Sequence, residues 1–299
     1  MRPMTLQTLL EAANAVRTGE TSASALTEAA IARALETAEF NAFAVLDAED
    51  AMRQAQQLDA LPQAKGALHG VPITVKDLFN VAGLPTRAGT AAPLPLEFQS
   101  PTVDAAAVSR LRVAGAVILG KVNLHEIALG ITGENAHTGD VSNPIDLARQ
   151  AGGSSSGGAV SVALGAGYGS LGSDTGGSLR IPASFCGVVG LIPLTGALPL
   201  SVTCDHAGPL ARNVADAHAL FEILAGRNLP LRSFDNLRGL RIGVPRSWLE
   251  GRLGLDVRRD FEVLLLQLRD AGATVLDVSP TDLELAGTAY TPIVRAEAA

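Results

Sequence analysis

Residues Gly152 to Phe185 read GGSSSGGAVSVALGAGYGSLGSDTGGSLRIPASF, two clusters of glycine and serine joined by a run of small residues. Glycine loses more backbone freedom on folding than any other residue. A chain this dense in it must bend tightly or approach something closely. Two such turns, both bearing hydroxyls, look like the floor of a catalytic site. The rest of the chain has to supply the group that activates them.

The sequence has 299 residues, of which 47% are hydrophobic and 18% charged. That is enough for a large buried core in one α/β domain or two modest ones. A net charge of -7 argues against a sequence-independent grip on nucleic acid or an anionic membrane. With 4% aromatics there is no basic, aromatic-interleaved patch for stacking bases. Cys186 and Cys204 lack CxxC spacing, which predicts neither a disulfide framework nor a structural zinc and fits a reducing compartment. MRPMTLQTLLEAANAVRTGE has no apolar signal-peptide run, and no stretch approaches the ~20 apolar residues of a membrane span. A cytoplasmic location is expected.

Leu6, Leu9, Leu10 and Ala13 share a helical face over Thr5 to Arg17, with Gly19 as the stop and Ser22 capping a second helix to about Glu36. A third helical run covers Ala51 to Leu58. VPITV alternates as a short strand and ends in Lys76-Asp77. Val103 to Ala114 reads as a helix and AVILGKVN as a buried strand. Gly115-x4-Gly120-Lys121 imitates a phosphate-binding loop, but its loop would be the strand AVIL, and Val122 stands where a hydroxyl should hold magnesium. His125-Glu126 lacks the second histidine of a zinc-protease helix. Past the glycine-serine stretch come a helix (Val214 to Leu224), a strand (LRIGVP), a helix with Phe261, Leu264, Leu265 and Leu268 inward, and the strand TVLDVSP. Helices alternating with short apolar strands predict a single α/β domain around a largely parallel or mixed sheet.

In the second turn, Ser173-Asp174-Thr175-Gly176-Gly177-Ser178-Leu179-Arg180, adjacent glycines let successive N–H groups point into one concavity. An oxygen gaining negative charge on a carbonyl substrate can be held there, with Ser178 beside it to attack. A Gly-Gly turn with a solvated serine has the same sequence. A serine hydroxyl needs a base. Of His69, His125, His137, His206 and His218, only His206 has an acidic neighbour, Asp205, and side chains adjacent in a chain diverge. Lys76 at its strand end is the alternative: buried, a lysine becomes a base; exposed, it is a snorkelling surface residue. The first turn, Gly152 to Gly158, can then supply a hydroxyl that passes the proton. Gly153-x-Ser155-x-Gly157 also fits the nucleophile-elbow pattern, though LARQA is a poor preceding strand. Cys186 reads as a core residue.

VPITVKD, GGSSSGGAVSVALG and GSDTGGSLRIPASFCGVVG, in that order and with 24 positions between Ser154 and Ser178, resemble the amidase signature family of Ser–cis-Ser–Lys amide hydrolases. The resemblance runs on through Gly208-Pro209-Leu210-Ala211-Arg212. It implies one amidase-type domain over residues 1–299, with a mixed, mostly parallel central sheet flanked by helices. It further implies Lys76 as base, Ser154 as the bridging serine on a cis peptide bond, and Ser178 as nucleophile. The backbone N–H groups of Thr175, Gly176, Gly177 and Ser178 would form the oxyanion hole, with Asp174 and Arg180 shaping the loop. Neither cofactor nor metal is implied. The partner is a small-molecule amide, with no direct nucleic-acid or membrane contact and a homodimer left open. Family chains generally continue further, so a domain lacking its C-terminal portion is expected. Ile192-Pro193-Leu194 replaces the family's Lys-Pro-Thr, and the segment on to Asp205 is short. Three functions compete: a stand-alone amidase, the glutaminase-type subunit of a tRNA-dependent amidotransferase, or an inactive truncated form. Ile181, where the amidotransferase branch tends to carry glutamine, favours the first.

Overall fold

The computed structural model describes residues 6–193, 198, 200, 201, 203–229 and 236–298. Two compact units divide the chain, 1–229 and 230–299, and each is taken by itself.

In the first unit, α1 (Leu9–Thr18) starts later than the apolar spacing suggests, because Thr8 and Glu11 close a reciprocal capping box. Thr5 lies outside the described residues. Gly19 ends α1 in the left-handed conformation, and the Ser22 hydroxyl accepts the Ala25 N–H to open α2 (Ala23–Glu36). Then follow β1 (Phe43–Leu46), α3 (Ala48–Asp59) capped by Asp47, and β2 (Pro72–Lys76). The short α4 (Leu96–Gln99) precedes α5 (Ala106–Val113) and β3 (Val117–Val122). Next come α6 (Ser156–Leu164), β4 (Gly169–Asp174), α7 (Arg180–Cys186), β5 (Val189–Gly190), β6 (His206–Ala211) and α8 (Val214–Ala225).

Six strands form one sheet in the order β1-β3-β2-β4-β6-β5. Only the central pairings, β3 with β2 and β2 with β4, are parallel; the flanking ones are antiparallel. The sheet is therefore mixed, and the expected predominance of parallel pairing holds only at its centre. Helical crossovers carry the chain between those three strands, whereas the outer strands come back alongside their neighbours. The central pairing is interrupted once: β3 bulges between Ile118 and Gly120, so Thr74 pairs with Gly120 and Val75 with Lys121.

One core cluster gathers Leu9, Ile73, Val75, Leu171 and Leu220; a second joins Val160, Leu179 and Leu210. Helix α6, the small-residue run between the two glycine-serine turns, is buried at every position but Ala163. A helix apolar all round belongs in an interior, and here small residues let it sit against backbone. A Cβ on Gly157 would lie 2.2 Å from the Ala42 carbonyl oxygen and 2.7 Å from the Asn123 nitrogen.

The second unit pairs β7 (Arg241–Val244) in parallel with β8 (Thr274–Asp277). Around them are α9 (Arg246–Leu249), α10 (Leu255–Asp270) and α11 (Leu283–Ala298). Of the four residues expected inward on α10, Leu265 is buried and Phe261 and Leu268 are half-buried, but Leu264 is 48% exposed. Phe261, Leu265 and Leu268 follow one stripe at helical spacing, and Leu264 falls beside it. Among the described residues no helix is long and apolar enough to cross a membrane.

Gly157→Ala is expected to destabilise the protein by about 3 kcal/mol through overpacking against backbone that cannot yield, read as a lowered urea midpoint at unchanged m-value.

Candidate active site

Strands β2 and β4 run parallel and end side by side, a position where α/β sheets commonly open a binding crevice. Lys76, the last residue of β2, is wholly buried. Its Nζ lies 2.7 Å from Ser154 Oγ and 2.8 Å from Ser173 Oγ, and donates to both. No carboxylate reaches it by a hydrogen bond among the described residues. Burial pushes its ammonium down to about 7, against the more distant charges of Asp205 and Asp174.

Ser154 is buried and follows a cis peptide bond from Gly153. The turn is pinned from outside by Gly152 N–H to Thr132 O (3.1 Å), Gly153 N–H to Ile131 O (2.8 Å) and His125 N–H to Ser154 O (3.2 Å). The two glycine-serine turns meet directly where the Ser155 N–H donates to the Ser178 carbonyl at 3.1 Å. The Ser155 hydroxyl donates to Ser173 O and accepts the Ser173 N–H. It is thus a clamp between α6 and β4, and the nucleophile-elbow reading of Ser155 does not fit. Ser156 Oγ is buried without a hydrogen-bond partner among the described residues.

Asp174, at the end of β4, organises the second turn. Its carboxylate accepts from Gly177 N–H (2.8 Å), Leu179 N–H (3.0 Å) and Arg180 N–H (3.3 Å), and is bridged by the Arg180 guanidinium at 2.8 and 3.0 Å. Burial pushes this carboxyl up, but Arg180 and the backbone donors outweigh it and hold it below the usual carboxylate range. Asp174 and Arg180 therefore shape the loop, as the sequence suggests. The Gly177 N–H, expected in the oxyanion hole, is spent on Asp174. Those of Thr175, Gly176 and Ser178 meet no acceptor among the described residues. Ser178 is buried, and its hydroxyl has no protein partner among them.

The histidines go elsewhere. His69 Nδ1 accepts the Lys65 N–H, His125 meets Thr132, and His137 and His218 face Glu126 and Glu222. His206 is buried, and its Nδ1 has no partner among the described residues. Cys186 donates to Ala151 O, and burial pushes its thiol up to about 12, as a core residue requires. No group of three or more metal-ligating side chains is gathered among the described residues.

Two polar features escape sequence reasoning. Ser173, the second partner of Lys76, belongs to the glycine-serine stretch, but only the pairing of β2 with β4 brings it to the lysine. Lys121, in the false phosphate loop, is a second buried lysine. Its Nζ stands 2.7 Å from Asp77 Oδ1 and 3.1 Å from Thr86 Oγ1. Burial draws the Lys121 ammonium down and Asp77 opposes it, whereas Lys76 lies between two hydroxyls with no carboxylate bonded to it among the described residues.

A buried lysine held against two serine hydroxyls, beside a glycine-rich turn with unengaged N–H groups, therefore lies at the end of the parallel strands of a mixed α/β sheet. The Amidase family matches residues 25–299, across both units, and the chain belongs to that amidase signature family. It is 41% identical to a glutamyl-tRNA(Gln) amidotransferase subunit of Anaeromyxobacter sp. (strain K), over 97% of this chain and 63% of that relative's length. A solved amidase structure superposes with a TM-score of 0.90 at 52% identity, over 97% of this chain and 67% of that one. The native peptide amidase of Stenotrophomonas maltophilia gives 0.84 at 33%, over 99% and 66%. The chain therefore spans about two thirds of the length of these relatives.

Asp77→Ala, which strands the buried Lys121 ammonium, is expected to cost roughly 3–5 kcal/mol of stability. Replacing the pair together (Asp77→Leu with Lys121→Met) recovers most of it, as chemical denaturation would read.

Proposed function

We infer that the protein hydrolyses a carboxylic amide to acid and ammonia through an acyl-enzyme on Ser178. The observation that carries this reading is Lys76, buried without a carboxylate hydrogen bond and held against the Ser154 hydroxyl beside the turn that bears Ser178. With the amine neutral, the Lys76–Ser154 contact reverses, so that Ser154 donates to Nζ. Ser154 then accepts the proton of Ser178 as Ser178 Oγ attacks the amide carbonyl. The tetrahedral oxyanion lies against the N–H groups of Thr175, Gly176 and Ser178, which no acceptor among the described residues engages. On collapse the relay runs backward and protonates the leaving nitrogen, so ammonia departs instead of an amide anion. Water, deprotonated by the same relay, attacks the ester and frees Ser178. We read residues 1–299 as belonging to one such domain, since the family match crosses both units.

A second reading, the glutaminase-type subunit of an amidotransferase, draws support from the Anaeromyxobacter relative. Ile181 in place of glutamine speaks against it. Ammonia release from glutamine alone, together with a co-purifying second subunit, would favour the second reading; release across aliphatic and aryl amides favours the first.

Ser178→Ala is expected to lower amide hydrolysis by more than ~10⁴-fold and to abolish labelling by a fluorophosphonate probe. Because the base form of Lys76 is the neutral amine, kcat/KM should rise with pH through a midpoint near 7 and fall away below it. Lys76→Ala retaining near wild-type turnover at pH 7 would remove the lysine from this role.

A further inference from the structure

Asp205 cannot orient its chain neighbour His206, but it has a place in the fold. Strands β4 and β6 are antiparallel, with Asp174 opposite His206. One step beyond, the register sets Thr175 opposite Asp205, and cross-strand neighbours at such positions are within side-chain reach. The Thr175 hydroxyl donates to Asp205 Oδ1 at 2.8 Å. Thr175 is also the first of the three N–H donors without a protein acceptor among the described residues. The Asp205 carboxylate is near enough to Lys76 for each charge to act on the other.

We propose that Asp205 is a positioning residue of the site, holding Thr175 so that its N–H faces the developing oxyanion and setting the negative charge that faces Lys76. The inference rests on the amide-hydrolase reading for its kinetic part alone. Lys76 on β2 is faced by Asp205 before β6 and by Asp174 at the end of β4, and Asp174 is already neutralised by Arg180. Asp205 is faced by Lys76 and His206, with the Thr175 hydroxyl bonded to it. Burial pushes the Asp205 carboxyl up, and Thr175 and Lys76 draw it back toward the ionised form. With Asp174 compensated, Asp205 is the uncompensated charge on the lysine. It keeps Lys76 from losing its proton too early, so that a proton can be stored there while Ser178 is acylated.

The sequence holds only three lysines, Lys65, Lys76 and Lys121. Side-chain ¹⁵N spectra of lysine-labelled protein therefore resolve Lys76 by comparison with Lys76→Ala. In Asp205→Asn its titration midpoint should fall by about one pH unit; in Thr175→Val, which keeps the carboxylate, it should stay. Kinetically, Asp205→Asn and Thr175→Val should each lower kcat roughly 10- to 100-fold, with KM changed less than about threefold. The double variant should be no worse than the poorer single, the non-additivity of one shared contact. Thr175→Ser should recover most of what Thr175→Val loses. An unmoved Lys76 midpoint in Asp205→Asn, or strictly additive losses, would overturn the proposal. Failure of wild-type protein to label at Ser178 would overturn the amide-hydrolase reading instead, while the titration still decides whether Asp205 governs the charge on Lys76.

Discussion

The site depends on the desolvation of one ammonium group. Lys76 is buried with no carboxylate bonded to it, only two hydroxyl oxygens under 3 Å away. A charged lysine in that setting is expensive and a neutral one is not, which is the physical condition the proposed role as a base requires. The surrounding architecture serves that condition. β2 is buried along its whole length, α6 closes over it without bulky side chains, and Asp174, one of the two carboxylates whose charge reaches the lysine, is spent on Arg180 and backbone donors.

Asp174 supplies a second kind of order. By accepting three backbone N–H groups and the Arg180 guanidinium, it folds a glycine-rich segment, which would otherwise be costly to fix, into one conformation. The N–H groups of Thr175, Gly176 and Ser178 are left without an acceptor among the described residues. Engaged and unengaged donors thus sit within the same few residues, a division that allows the turn to be rigid and still unsatisfied.

Much of this is legible in the residues themselves. Gly19 and Ser22 mark helix ends by local chemistry, and each does so in the fold. The glycine-serine clusters and the lysine at a strand end carry their meaning in short windows. What is not legible depends on strand neighbours. Ser173 reaches Lys76 only because β2 and β4 pair, Thr175 meets Asp205 only through the register of β4 and β6, and Lys121 finds Asp77 across two adjoining strand ends. The commitment of the Gly177 N–H to Asp174 is equally hidden, since a Gly-Gly pair looks the same whichever way its amides turn. Leu264 misleads for a simpler reason: four leucine-rich positions fit a helix face that has room for three.

The bulge in β3 bears on the lysines in a further way. Had the pairing of Ile73 with Ile118 continued without interruption, Lys121 would stand beside Lys76. Two ammonium groups as cross-strand neighbours in a dry interior would repel each other. The extra residue moves Lys121 back by one place, next to Val75, and Gly120 permits it because any side chain there would meet the Val45 carbonyl oxygen at 2.1 Å. A single inserted residue therefore works as insulation. It keeps apart two lysines on adjacent strands, one paired with Asp77 and the other held between two serine hydroxyls.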